Sequence, residues 1–224
     1  MHTNKPVLYV FAISHYCEKA RWVLDYFELD YTLRYVAPGE HAQIAKRLGA
    51  PHSSVPLLSV GDTVIQGSAS IVSWAERQPG AEQKRLSPQD ALALCADIEK
   101  RIDEVAGVHI RRYYYSEALV EHPQTVRPVF TRDLRFPKNV MIRFAWPKIR
   151  KIMISRMDLG SVQGEEPASI VADELSWIDG LLADGKEYLV GGRFSRADIA
   201  VASLLSPLAL PPEHPVYNKL RHPP

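Results

Sequence analysis

Ser14 and Cys17 are the residues of this chain best placed to do chemistry. They bound the segment Ser14-His15-Tyr16-Cys17, which follows the apolar run Val7-Leu8-Tyr9-Val10-Phe11 and precedes Glu18-Lys19-Ala20-Arg21-Trp22-Val23-Leu24. The first run has the length of a strand. After the turn, Cys17, Ala20, the stem of Arg21, Leu24 and Phe27 recur at helical spacing. A hydroxyl and a thiol three residues apart therefore fall at a helix N-terminus, where unpaired backbone N–H groups and the positive end of the helix dipole stabilise an anion such as a thiolate. Two readings fit this segment: a site that holds a sulfur nucleophile, or a serine N-cap followed by a buried cysteine.

A second segment supplies what such a site needs nearby. His52-Ser53-Ser54-Val55-Pro56-Leu57-Leu58-Ser59-Val60 has a proline at the mouth of a strand, and Gly61-Asp62 separates it from Thr63-Val64-Ile65-Gln66. Two short strands around a Gly-Asp pair predict a hairpin, and a proline is tolerated at a first or edge position of a strand. If the Val55-Pro56 bond is cis, the Val55 N–H and C=O turn outward for an extended peptide to pair with. Gly67-Ser68-Ala69-Ser70-Ile71-Val72-Ser73-Trp74 then opens a helix, with Ser68 near its start, where hydroxyl and backbone N–H groups can receive a carboxylate.

In this order the segments resemble the N-terminal, thioredoxin-like domain of the glutathione S-transferase family. Ser14-His15-Tyr16-Cys17 lies where that family carries its Ser/Cys-Pro-x-x signature and glutaredoxins carry Cys-Pro-Tyr-Cys. Ser54-Val55-Pro56-Leu57-Leu58 resembles the family's cis-proline segment, and Gly67-Ser68-Ala69-Ser70-Ile71 its Glu-Ser-x-Ala-Ile segment. Further on, the stretch from Leu189 to Asp198 is similar to the family's Leu-x-Gly-x-x-x-Ser-x-Ala-Asp signature. Its physical content is a capping box between Ser195 and Asp198.

The resemblance implies an α/β thioredoxin-like domain over 5–78 followed by an all-α helical domain over 87–224. It implies glutathione as co-substrate, with Ser14 orienting the nucleophilic sulfur and Cys17 in the resolving position of glutaredoxins. Ser14, Val55, Pro56, Gly67 and Ser68 would bind glutathione, while His15, Tyr16, Tyr113 and Tyr114 would border the pocket for an apolar small-molecule electrophile. A homodimer is also implied. His15 departs from the family's proline and Gly67 from its acidic residue. The catalytic tyrosine of tyrosine-type relatives aligns with Val10; Tyr9 is one residue off and should face the other way. A non-catalytic protein that binds an apolar anion or a membrane surface with the same fold is the alternative reading.

The rest of the chain must position these groups. Its 224 residues suffice for one large domain or two modest ones, and a formal charge of +1 gives no reason to expect nucleic acid or another polyanion. Two cysteines, Cys17 and Cys95, fall in different predicted domains, which suits a reducing compartment. With no leader-like segment and no apolar run near the length of a membrane span, a soluble, cytoplasmic protein is expected. The eight histidines never fall at metal-ligand spacing, so no metal site is predicted.

The first domain reads as strand, helix, a strand over 31–36, a helix over 41–48, the hairpin and a closing helix over 68–77. After a polar linker, Ser87-Pro88 should start a long helix with serine at N-cap and proline at N1, striped by Leu92, Cys95, Ile98, Ile102, Val105 and His109. Helices are predicted near 124–134, 138–157 and 168–183, and a last one from Ser195 should end or kink at Pro207. Arg111-Arg112-Tyr113-Tyr114-Tyr115 gathers aromatics and cations, yet consecutive residues cannot all face one way. Between Asp133 and Asp158 there is no acid. Basic residues there alternate with Phe136, Ile142, Phe144, Trp146 and other apolar side chains. A helix of that kind suits an anionic membrane surface, an anionic apolar substrate, or an ordinary core face backed by solvated charge. The sequence stops at His222-Pro223-Pro224, where the family continues into a further helix.

Overall fold

The computed structural model describes residues 5–131, 133–160, 162–214 and 216; His222-Pro223-Pro224 lie outside them. The chain divides into two compact units: the stretch up to Lys84 with Pro128–Ala145, and Arg85–Arg127 with the stretch from Trp146 on. The first unit thus takes in a piece of chain, 128–145, from the predicted helical half.

The first unit is built on a four-stranded sheet in the order β2-β1-β3-β4, with β1 Val7–Val10, β2 Thr32–Tyr35, β3 Leu57–Val60 and β4 Thr63–Gln66. Strand β1 runs parallel to β2 and antiparallel to β3, and β3–β4 is the hairpin expected around Gly61-Asp62. This mixed sheet with α1 His15–Tyr26, α2 Glu40–Leu48 and α3 Ser68–Ala75 is the thioredoxin-like arrangement that the resemblance implies. Strand residues alternate between its faces. On one face Tyr9, Val36 and Leu57 join Ile44 and Ala45 of α2 in a core cluster. Helices α1 and α3 pack together, and α1 is buried on more than a single stripe: His15 and Lys19 are enclosed along with Cys17, Ala20, Val23 and Leu24. That departs from simple amphipathic spacing, because α1 is packed from more than one side. Phe27 is instead the half-buried C-cap.

The second unit is helical. Its first helix starts later than predicted. Pro88 keeps an extended backbone, a 3-10 turn Gln89–Ala91 follows, and α4 spans Leu92–Arg101 with Ala91 as its N-cap. A π turn, Ile102–Ala106, links α4 to α5 Gly107–Ala118. The inserted turn moves the buried stripe on by one residue: Cys95, Ile98 and Ile102 are followed by Ala106 and Ile110 rather than Val105 and His109, and Leu92 stays exposed. Helices α8 Glu165–Leu181 and α9 Arg196–Ala209 follow in this unit, while α6 Pro123–Thr131 and α7 Lys138–Met157 each run partly in one unit and partly in the other.

Polar side chains lock this unit. Arg101 binds the buried Glu174 of α8 through two nitrogens and lies 3.9 Å from the ring centre of Trp177, a two-point charge pair with a cation–π contact whose guanidinium stays open to solvent. Arg150 donates to the carbonyls of Leu119 and Val120 at 2.7 and 2.9 Å, satisfying acceptors that the end of α5 leaves open. Helix α9 runs through Pro207 to Ala209 instead of stopping there. Proline cannot donate to the Ser203 carbonyl, but the Ser206 hydroxyl does so at 2.6 Å, so the lost backbone bond is replaced locally.

Candidate functional site

The register of the sheet brings the predicted site residues of the first unit to one edge. Tyr9 of β1 faces Leu57 of β3, and Leu57 faces Gln66 of β4. Hence the turn after β1 (Ser14), the segment before β3 (Val55, Pro56) and the start of α3 after β4 (Gly67, Ser68) emerge at the same end. The Gly67 N–H donates to the Pro56 carbonyl at 3.0 Å and ties the last two together. The Val55–Pro56 bond is cis, as expected.

Ser14 caps α1. Its side-chain oxygen accepts from the Cys17 N–H at 3.3 Å, its own N–H donates to the Phe11 carbonyl at 3.2 Å, and its backbone is extended as an N-cap requires. A hydroxyl that accepts this bond uses a lone pair and keeps its proton to donate. Ser14 is half-buried.

Cys17 behaves differently from the expected helix-terminal thiolate. It is 1 % exposed, and burial pushes its thiol up to about 12 despite the opposing hydrogen bonds from Ser14 and Phe11. Desolvation outweighs the dipole at this depth, so Cys17 itself is a neutral core thiol behind the Ser14 cap. At about pH 8, where an exposed cysteine is partly thiolate, iodoacetamide should leave Cys17 unlabelled in the folded protein and label it after unfolding. Mass spectrometry of the digested protein checks this, and rapid native labelling would restore Cys17 as a nucleophile. The unfolded thiol ionises near 9.0 and the folded one only near 12, so this group leaves stability intact below pH 9.0 and erodes it as pH rises toward 12.

Gly67 has a φ of +89° and a ψ of 147°, a conformation suited to glycine, and a Cβ there would meet nothing within 4 Å. The position that is acidic in the resembling family is therefore open space above the helix start. Ser68, the first residue of α3, is buried. His15 is also buried, its ring tilted against that of Tyr16 with centres 4.5 Å apart. Tyr113 and Tyr114 belong to the second unit. Tyr113 is exposed, Tyr114 is half-buried with its phenol pushed up to about 12 by desolvation, and Tyr115 is core. Arg112 beside them pairs with Asp158 and Glu166 at 3.4 and 3.5 Å, which accounts for one of the clustered cations structurally.

Two groups escaped the sequence reading. Gln66 clamps the approach to the cis-proline: its Oε1 accepts from the His52 N–H at 3.0 Å, and its Nε2 donates to the carbonyls of His52 and Ser54, each at 2.8 Å. Counting outward from the two-residue turn pairs Gln66 with Leu57, so the hairpin register held that signal. The second group is aromatic. Phe11, just before Ser14, meets His41 edge-on at 4.8 Å and Phe130 at 6.4 Å. His41 accepts from the Gly39 N–H through Nδ1, which leaves Nε2 carrying the proton when the ring is neutral. Pairings this distant in sequence leave no periodic trace. Among the described residues no three His, Cys, Asp or Glu side chains converge as a metal site needs, and no helix is long and apolar enough to cross a membrane.

Comparison with known proteins agrees with this geometry. Residues 8–83 match the family model described as glutathione S-transferase, N-terminal domain. Among solved structures, a glutathione transferase of Phanerochaete chrysosporium is 18 % identical, covering 98 % of this chain and 92 % of its own, with a TM-score of 0.66. The beta-etherase LigF of Sphingobium is 17 % identical over 98 % and 89 % of the two chains, also with a TM-score of 0.66. A glutathione transferase homologue of Drosophila mojavensis, solved with bound glutathione, is 18 % identical over 92 % and 78 %, with a TM-score of 0.64. These identities carry the fold. Comparison of the sequence with curated proteins gives no match.

Proposed function

Because residues 8–83 match the glutathione S-transferase N-terminal domain, we propose that this protein is a glutathione transferase of the serine type, activating the glutathione thiol for attack on an electrophilic, apolar co-substrate. The observation that carries the proposal is Ser14: a half-buried hydroxyl with a proton to give, fixed as the cap of α1 at the sheet edge where the cis-proline segment and the start of α3 also emerge. Glutathione lies extended along that edge. Its cysteinyl backbone pairs with the N–H and C=O of Val55 beside Pro56, and its γ-glutamyl carboxylate meets the Ser68 end of α3, where backbone N–H groups and the helix dipole favour an anion. The open space over Gly67 leaves room for that carboxylate without supplying a side chain to hold it.

Ser14 Oγ donates to the glutathione sulfur and stabilises the thiolate over the thiol. The thiolate attacks the electrophilic carbon, the carbon–sulfur bond forms, and a leaving group departs or a proton is taken up, according to the electrophile. Cys17, a neutral core thiol, plays no part in this chemistry. The test is retention on immobilised glutathione with elution by free glutathione, followed by titration in solution. Passage straight through the matrix, with no heat of binding, would overturn the proposal and favour a binding protein on the same fold.

A further inference from the structure

Helix α7 and the turn before it keep a face of unusual composition in solvent. Phe136 is 80 % exposed, Phe144 82 % and Met141 63 %, and Val140 is exposed as well. Single exposed apolar side chains are ordinary, but these four fall within residues 136–144. At about 100° per residue, Val140, Phe144, Lys148 and Lys151 share one arc of α7, flanked by Met141 and Arg143. The opposite arc holds the buried Ile142 and Trp146 and the half-buried Ile149 and Met153. The core claims that second arc and leaves the first free.

The charge on the free face has one sign. Residues 134–157 contain no Asp or Glu. Lys138 is engaged by Glu40 and Arg150 by backbone carbonyls. Among the described residues, Arg135, Arg143, Lys148, Lys151 and Arg156 enter no ion pair. A second copy of this chain laid on the same face would set these cations against one another with no carboxylate of residues 134–157 to offset them. A small soluble anion would account for the cations and leave the phenylalanines unexplained. An anionic bilayer suits both: aromatic and aliphatic side chains enter the headgroup–acyl boundary while Lys and Arg reach lipid phosphates and carboxylates.

We propose that Phe136 and the outward arc of α7, from Val140 to Lys151, form a docking surface for an anionic lipid bilayer. Binding is peripheral and reversible, and salt weakens it. The test is co-sedimentation of the full chain with vesicles of phosphatidylserine and phosphatidylcholine in equal parts, against phosphatidylcholine alone. Wild-type protein should pellet with the first at low salt and stay in solution with the second. Each cation near the surface contributes about a fivefold gain in partitioning, so Arg143→Gln, Lys148→Gln and Lys151→Gln together should lower it about a hundredfold. Phe136→Ser with Phe144→Ser should lower it as well. Both variants should keep their helical circular dichroism and their retention on immobilised glutathione, which separates failure here from failure of the transferase reading. The proposal is overturned if wild type ignores the anionic vesicles, if both variants pellet as wild type does, or if the Phe variant turns a dimer into a monomer while wild type shows no vesicle binding. That last outcome would make a second copy the occupant.

Discussion

Replacing Ser14 by alanine should lower turnover with an activated aryl halide by about 10²- to 10³-fold, the scale of removing one positioned donor from a developing or stabilised anion. The loss should fall mainly on kcat. In the proposed binding mode glutathione is held by the Val55 backbone and the α3 start, which the substitution leaves alone. The rate at neutral pH then depends on how much bound glutathione is thiolate, so the pH profile of the variant should move toward that of the free thiol. The ultraviolet absorbance of the thiolate in the binary complex should weaken in parallel. A stability change of about 1 kcal/mol accompanies it, because Ser14 also caps α1 through the Cys17 N–H. Ser14→Thr keeps hydroxyl and cap and should recover most of the activity. Full activity in Ser14→Ala would assign the sulfur to a backbone N–H of the turn, since Cys17 is too deeply buried to ionise in its place.

The legible parts of this molecule are those with local causes. An apolar run, a serine and a helical stripe are enough to place β1, the cap and α1, and Gly61-Asp62 is enough for the hairpin, because each depends on neighbours a few residues apart. The 138–157 helix follows from its own periodicity and ends as predicted. Where the reading slips, tertiary contacts decide. Cys17 sits at a helix start that favours an anion, yet the packing around α1 removes it from water, and a sequence alone carries no measure of depth. Pro207 looks like a helix stop until the Ser206 hydroxyl is seen to take over the open carbonyl. The π turn at 102–106 moves the core stripe by one residue without any glycine or proline to announce it. Arg150 looked like one more solvated cation, but it closes the end of a helix thirty residues away. Gln66 was within reach of register counting; the meeting of Phe11, His41 and Phe130 was not.

Asp198→Ala should destabilise the second unit more than a cap alone accounts for. The Ser195–Asp198 capping box expected from the sequence is present, with the Asp198 carboxylate accepting from the Ser195 N–H at 2.8 Å and from its hydroxyl at 2.5 Å. The other carboxylate oxygen accepts from the Leu189 N–H at 2.9 Å and so pins the loop that leads into α9. Ser195 is fully buried and Leu189 nearly so, which keeps water from replacing the lost acceptor at either N–H. Loss of the cap costs about 0.5–2 kcal/mol, and a buried N–H left without a partner costs about 1–3 kcal/mol. The sum, about 1.5–5 kcal/mol, corresponds to a Tm drop of roughly 3–20 °C at the usual 2–4 °C per kcal/mol for a chain of this size. Asp198→Asn keeps one acceptor oxygen and should lose about half as much, because its amide nitrogen can serve only one side of the box. Since Asp198 holds structure far along the chain from Ser14, Val55 and Ser68, neither variant should change glutathione affinity below its melting range. Thermal unfolding monitored by circular dichroism, paired with glutathione titration at low temperature, separates the two effects. A matching loss of affinity in the still-folded protein would move Asp198 from the scaffold into the site.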